Sequence, residues 1–203
     1  MAPVHGSRHR SSSLSSMTSA QPGTAAGPGR DLAPPPADRA WRPSLVIARA
    51  AHAEDLRRIY NHAVQTSTAT FDITPRSLPD QLQWLAEHSG AYPAIVAVDG
   101  REVLGFGSLS PYRPRPAYST TVEDSVYVDE SAQHRGVGRA LLEELLVLAE
   151  GHGFHAVIAR IAGDNEASVA LHRACGFEHI GTEREVGRNF GRWLDVVCMQ
   201  RLV

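Results

Sequence analysis

The sequence predicts an α/β domain: a mixed sheet with helices on both faces. Three observations carry this. Strand-like runs and helical stripes alternate from about residue 45 to the C-terminus. The stretch from Thr121 to Leu142, TVEDSVYVDESAQHRGVGRALL, reads as a strand, a glycine-rich turn and the start of a helix. Residues 163 to 177, GDNEASVALHRACGF, read as a capped helix that stops at a glycine and runs into another strand.

Taken in order, Leu45 to Arg49 is a short first strand. Asp55 to Val64 follows as a helix, because Leu56, Ile59, Tyr60, Ala63 and Val64 fall on one helical stripe. Leu78 to Glu87 is a second helix with Leu78, Leu82 and Leu85 on one side. Ala94 to Val98 is a strand, and Asp99-Gly100 signals a hairpin into Val103 to Leu109. Prolines break the loop from Pro111 to Pro116, after which Thr120 to Val128 is the central strand. Gly138 to Glu150 is a helix with Leu141, Leu145 and Leu148 inward. Ala156 to Ile161 is a strand. Ala167 to Cys175 is a helix with Leu171, Ala174 and Cys175 on its apolar face. Two strands near His179 to Val186 and Trp193 to Arg201 finish the chain, which has no internal repeat.

Composition narrows the class. The chain has 203 residues, 42% hydrophobic and 21% charged, which is ordinary for a globular protein. Twenty basic and 22 acidic residues leave a net charge of −2, so bulk charge points to neither nucleic acid nor a membrane surface. No apolar run approaches the ~18 residues of a membrane span. Cys175 and Cys198 make no disulfide framework; both sit in apolar patterns, as buried reduced thiols do. Together these predict a cytoplasmic protein.

The N-terminus is different material. Residues 1 to 40 are rich in Ser, Pro, Gly, Ala and Arg, with no acid before Asp31 and almost no bulky apolar residue. Such a segment cannot bury a core. Residues 1–44 therefore read as a disordered tail and residues 45–203 as one folded domain. The tail lacks a secretory apolar region, and its Arg/Ser-rich, acid-poor character leaves a targeting role open. So does the alternative that Met17 is a later initiator.

The turn at Gln133 to Gly138 carries the chemistry. Two glycines two residues apart at a helix start let backbone N–H groups approach a diphosphate, and the helix terminus adds partial positive charge. Spacing decides between cofactors. The dinucleotide fingerprint needs a third glycine where Leu141 stands, and no lysine follows a glycine pair as a Walker loop requires. What remains is Q-x-x-G-x-G after a strand. It resembles the acyl-CoA pyrophosphate loop of the GCN5-related N-acetyltransferase superfamily, and the late N-x-x-[AS]…L-[YH]-x-x-x-G-F segment is similar too. Ser119 to Val128, the run NEASVALHRACGF and the tail from Val186 to Val196 resemble the phosphinothricin and methionine-sulfoximine N-acetyltransferase branch. So do Tyr60 to Val64 and Thr66 to Phe71. The resemblance covers about residues 45 to 202. It implies a mostly antiparallel twisted sheet with a splayed central strand pair, an acetyl-CoA cosubstrate, no metal and a homodimer.

Acetyl transfer from a thioester to an amine needs a base for the ammonium proton, N–H groups for the oxyanion, and a proton or positive neighbour for the departing thiolate. Glu123 is the candidate base, which the resemblance supports. Asp124 is its rival, on the opposite face by alternation unless a bulge upsets the parity. Val126, Tyr127 and Val128 would offer backbone groups to the pantetheine arm, with the Val128 amide as oxyanion donor. His134, Arg135, Gly136, Val137, Gly138 and Arg139 would wrap the pyrophosphate. Asn165 caps a helix and, by the resemblance, also bonds the pantetheine arm. By the same resemblance His172 takes the place of the acid that protonates the thiolate. A histidine titrates near 6.5, which suits that role. The remaining histidines show no zinc-site spacing.

The loop Tyr112 to Tyr118 supplies two arginines and two tyrosines, and arginine forks grip carboxylate or phosphinate groups. The resemblance assigns Arg115 and Tyr118 to substrate binding and makes Phe71 a pocket wall. The expected activity is acetyl-CoA-dependent acetylation of the α-amine of a small amino acid or analogue. The alternatives are a protein or peptide N-acetyltransferase and a non-catalytic acyl-CoA-binding module.

Overall fold

The computed structural model describes residues 41–203, so the tail expected at 1–44 lies outside the described residues up to residue 40. Seven strands form one sheet: β1 (Ser44–Ile47), β2 (Ala94–Asp99), β3 (Glu102–Pro111), β4 (Thr121–Val128), β5 (Ala156–Ala162), β6 (Glu178–Asn189) and β7 (Arg192–Leu202). Their order across the sheet is β1-β2-β3-β4-β5-β7-β6. Every neighbouring pair is antiparallel except β4 and β5, which run parallel. Four helices cover the faces: α1 (Ala53–Thr66), α2 (Leu78–Glu87), α3 (Val137–Gly151) and α4 (Glu166–Ala174).

Strand alternation sorts the core into two layers. Val122, Val157, Ala159 and Ile161 join Leu141, Leu142, Leu145 and Leu146 of α3 on one face. On the other face, Val96, Val103 and Phe106 meet Leu56, Ile59 and Tyr60 of α1, with Trp84 and Leu85 of α2 partly buried against them. The central strand feels both layers, since Val126 and Val128 join the first and Tyr127 the second.

The helices start for local reasons. Ser77 caps α2: its hydroxyl accepts from the Asp80 N–H, and the Asp80 carboxylate accepts from the Ser77 N–H. Gly136 sits before α3 at φ +83, a left-handed conformation that costs other residues about 1–2 kcal/mol. At Gly105 a Cβ would lie 2.7 Å from the Tyr127 carbonyl oxygen, so only glycine lets β3 run this close to β4.

Two helix faces differ from the sequence reading. In α2, Leu78 and Leu82 are 42% and 40% exposed, whereas Gln81 is fully buried. The capping box and the docking of Trp84 set the rotation of this ten-residue helix, and leucine periodicity does not. In α4, Ala174 is exposed and His172 is buried in its stead. Cys175 is buried and Cys198 only half-buried, both as free thiols.

Candidate active site

The site begins where the sheet opens. β4 and β5 are in register only at Thr121↔Ala156, Val122↔Val157 and Glu123↔Ile158. Beyond Glu123 the two strands part, while β4 stays paired to β3 through Val128 and β5 stays paired to β7 through Ala162. The backbone of β4 from Asp124 onward therefore has one edge without a strand partner. A groove of about 820 Å³ lies along this edge, lined by Val126, Tyr127, Val128, His134, Gly136, Val137, Gly138, Arg139, Asn165 and Leu171. A smaller cavity of about 60 Å³ sits deeper in the wedge, against Asp124, Ala159, Arg160, Ser168 and His172.

Most residues expected at the cofactor site thus line one groove, at the N-terminus of a 15-residue helix. The orphan N–H groups of that first turn and the left-handed Gly136 fit an anionic diphosphate. Arg135 departs from expectation. Its guanidinium lies over the Trp41 ring at 4.3 Å and faces the Asp99 carboxylate at 3.7 Å, so the side chain is engaged away from the groove. Arg139 lines the groove but its Nε donates to Glu143 at 2.7 Å. Asn165 caps α4, its Oδ1 accepting from the Ser168 N–H at 3.1 Å.

The register of β3 and β4 runs without a shift from Gly105↔Val128 to Pro111↔Val122. No bulge disturbs alternation, and Glu123 and Asp124 point to opposite faces. Glu123 is half-buried. Burial pushes its carboxyl above the usual range, Asp124 and Glu183 push the same way, and Arg160 and Arg113 oppose them. Arg160 itself bridges to Glu183 across β7. Glu123 therefore sits among charges of alternating sign.

Asp124 has another partner. Its Oδ2 lies 3.0 Å from His172 Nε2, and the two side chains are 1% and 4% exposed. His172 Nδ1 lies 2.7 Å from the Ser168 carbonyl oxygen. Burial lowers the affinity of this imidazole for a proton, but the hydrogen bond and charge of Asp124, with the Ser168 carbonyl, outweigh it and raise the pKa above the usual histidine value. Both nitrogens of the expected thiolate acid are thus already engaged inside the protein.

Val128 stands five residues from Glu123, about 16 Å along the extended strand, and Val126 lies between them, nearer the point of splay. Of the substrate candidates, Phe71 packs against β6, where a Cβ at Gly187 would lie 2.2 Å from its ring. Tyr118 stacks edge-on against Tyr112 at 5.5 Å, and the Arg113 guanidinium sits 4.9 Å from the Tyr112 ring and 5.8 Å from the Tyr118 ring. Arg115 is exposed and forms no ion pair among the described residues. Of the two loop arginines, Arg113 is the one whose charge acts on Glu123, alongside that of Arg160. Arg113 is one of the two loop arginines the sequence offers, whereas Arg160 and the Asp124–His172 pairing are not among its candidates, although residue parity along β4 and β5 is a usable signal for them.

Comparison with known proteins agrees with this geometry. The Acetyltransferase (GNAT) family profile matches residues 54–177. A phosphinothricin N-acetyltransferase of Streptomyces coelicolor is 42% identical over 163 residues, 77% of this chain and 95% of that protein. An L-methionine sulfoximine/L-methionine sulfone acetyltransferase of Pseudomonas paraeruginosa is 41% identical, over 77% of this chain and 92% of its own. Among solved structures, a phosphinothricin acetyltransferase of Sinorhizobium meliloti in complex with acetyl-CoA superposes with a TM-score of 0.77 at 39% identity, covering 80% of this chain and 89% of that one. A ribosomal-protein-alanine N-acetyltransferase of Brucella melitensis reaches 0.77 at 39% identity, over 79% and 99%. With its parted β4 and β5 and the glycine turn opening α3, the chain belongs to the GNAT family of acetyltransferases.

Proposed function

We propose that this acetyltransferase moves the acetyl group of acetyl-CoA to the α-amine of a small amino acid or analogue of the phosphinothricin or methionine-sulfoximine type. The observation that carries the reading is the parting of β4 from β5 immediately after Glu123. It opens a slot for a thioester directly after Glu123, the last β4 residue paired to β5. The names of the relatives at about 40% identity support the substrate class.

In this reading the amides of α3's first turn and of Gly136 hold the diphosphate, and the free edge of β4 and Asn165 hold the pantetheine arm. Glu123 takes the ammonium proton, so that a neutral amine attacks. The β4 amide nearest the carbonyl holds the oxyanion. Arg113 and Arg115, with Tyr118 and Phe71 as walls, receive the anionic end of the substrate.

A panel assayed by release of free CoA tests this. Phosphinothricin, methionine sulfoximine and methionine sulfone should turn over. A peptide with an N-terminal alanine should not, because the basic loop from Tyr112 to Tyr118 offers no open or acidic groove for a chain. Turnover of the peptide alone would replace this reading with the protein-acetylating one, and binding of acetyl-CoA without any turnover would mean a binding module. We place residues 45–203 as the catalytic domain of a cytoplasmic homodimer. Val186, Phe190 and Trp193 on the β6–β7 hairpin are 54%, 55% and 61% exposed, an apolar surface a second copy would cover. A monomer by sedimentation at micromolar concentration would refute the dimer.

A further inference from the structure

We propose that Asp124 is a positioning residue: it keeps a proton on His172 at the floor of the slot between β4 and β5, ready for the departing sulfur. This rests on the acetyltransferase reading and adds a residue to it.

Hydrogen-bond polarity requires that proton. His172 Nδ1 faces a backbone carbonyl at 2.7 Å, which can only accept, so Nδ1 carries a hydrogen. A neutral imidazole would then turn a bare lone pair at Nε2 toward Oδ2 of Asp124, 3.0 Å away. Two acceptors face to face at that distance repel. The arrangement is satisfied when a proton lies between Nε2 and Oδ2. Burial makes this stricter, since neither group can turn to water.

The pair also belongs to the slot. Asp124 and His172 both line the small cavity in the wedge, and the second carboxylate oxygen, Oδ1, is buried with no hydrogen-bond partner. Oδ1 is a place for a slot water or for an N–H of an arriving ligand. The other ionisable groups around His172 are few. Tyr127 of β4 and Arg160 of β5 line the same cavity, Cys175 ends its own helix, and Arg139 and Glu143 of α3 lie near Cys175. Phe177 packs its ring edge-on at 5.0 Å.

The step balances as follows. The C–S bond breaks and its electron pair stays on sulfur. The sulfur displaces Oδ2 as acceptor and takes the proton from Nε2. His172 is left neutral with Nδ1–H still on Ser168, and Asp124 is ionised. The facing lone pairs then draw a proton from solvent, where the proton taken by Glu123 has been released. A thiol titrates near 8.5, so a histidine held above its usual 6.5 is better matched to it.

The test is Asp124→Asn in the full chain. The asparagine amide can donate to a neutral Nε2, so the need for the extra proton disappears. The alkaline limb of the kcat–pH profile should move to lower pH, and kcat at pH 8.5 should fall about tenfold, short of the roughly 10²–10⁴-fold that losing an acid outright costs. KM for acetyl-CoA should stay within about twofold, as for a group acting mainly after binding. In a His172→Asn background, Asp124→Asn should cost little more, because the two act as one unit. Should Asp124→Asn fail to fold, the wild-type protein still decides. Its His172 ring resonances should report a charged imidazole at pH 7 by NMR. A neutral ring at pH 7, an unshifted limb in a folded variant, or additive losses would overturn the proposal. If no amine is acetylated at all, the catalytic reading fails instead, and the NMR titration tells the two failures apart.

Discussion

Glu123→Gln separates activity from stability. The glutamine keeps the size of the side chain and its hydrogen-bonding reach but cannot take a proton. A positioned base contributes on the order of 10²–10⁴-fold, and kcat at pH 7 should fall within that range, about 2.7–5.5 kcal/mol of barrier. The fold should not suffer. Burial raises the Glu123 pKa in the folded state. Its ionised form therefore costs stability, a cost absent below the unfolded value and growing as pH rises through the folded one. At pH 7 the neutral glutamine escapes that cost, and Arg160 retains Glu183. The melting temperature should hold or rise while kcat collapses. Wild-type kcat/KM should also show an acidic limb lying above the usual glutamate range, missing in the variant. Raising the pH should recover part of the lost rate, because the amine then arrives neutral. Initial rates of CoA release between pH 5 and 9, with thermal melts of both proteins, measure all of this. Near-normal kcat at pH 7 would make Glu123 structural and not the base, and a falling melting temperature would mean that the ionised carboxylate stabilises the fold.

Three further outcomes follow from the geometry. In Gly138→Val, the new side chain starts 3.3 Å from Leu171 and 3.5 Å from Val128, against the groove. Acetyl-CoA binding should weaken in calorimetric titration while the protein stays folded, and unchanged affinity would remove the diphosphate from this turn. Arg113→Ala should raise KM for anionic amino acids more than Arg115→Ala does, with little change in acetyl-CoA affinity. Equal effects would restore Arg115 to the part expected of it. Leu145→Ala, at a fully buried position of α3, should cost about 2–5 kcal/mol in urea unfolding, the usual range for a large-to-small core change. A loss under 1 kcal/mol would mean the α3 layer is loosely packed.

Much of this protein was legible one element at a time. Helix α2 spans Leu78–Glu87 as its pattern predicts, and the other element ends agree to within a few residues. Capping, glycine placement and side-chain period are local properties, and a single sequence displays them. The glycine turn before α3 and the Asn165 cap were visible for the same reason, and the alternation that separates Glu123 from Asp124 needed only an unbroken strand. By itself, then, the sequence determined the elements, the family resemblance and which residues could carry charge or protons near the cofactor turn.

Tertiary structure decided what those residues touch. The period of α2 points Leu78 and Leu82 inward with Leu85, yet only Leu85 packs on the core and Gln81 is buried, because a capping box and Trp84 set the rotation of the helix. Arg135 turned to Trp41 and Asp99, partners 94 and 36 positions away, which no local pattern could name. His172 met Asp124, 48 positions earlier, because β4 and β5 part beyond Glu123 and His172 of α4 lines the wedge between them. Such pairings follow from strand register and the point of splay. Both are set by the packing of the whole sheet between its two helical layers, an energy shared over many distant contacts and written in no single window of the chain.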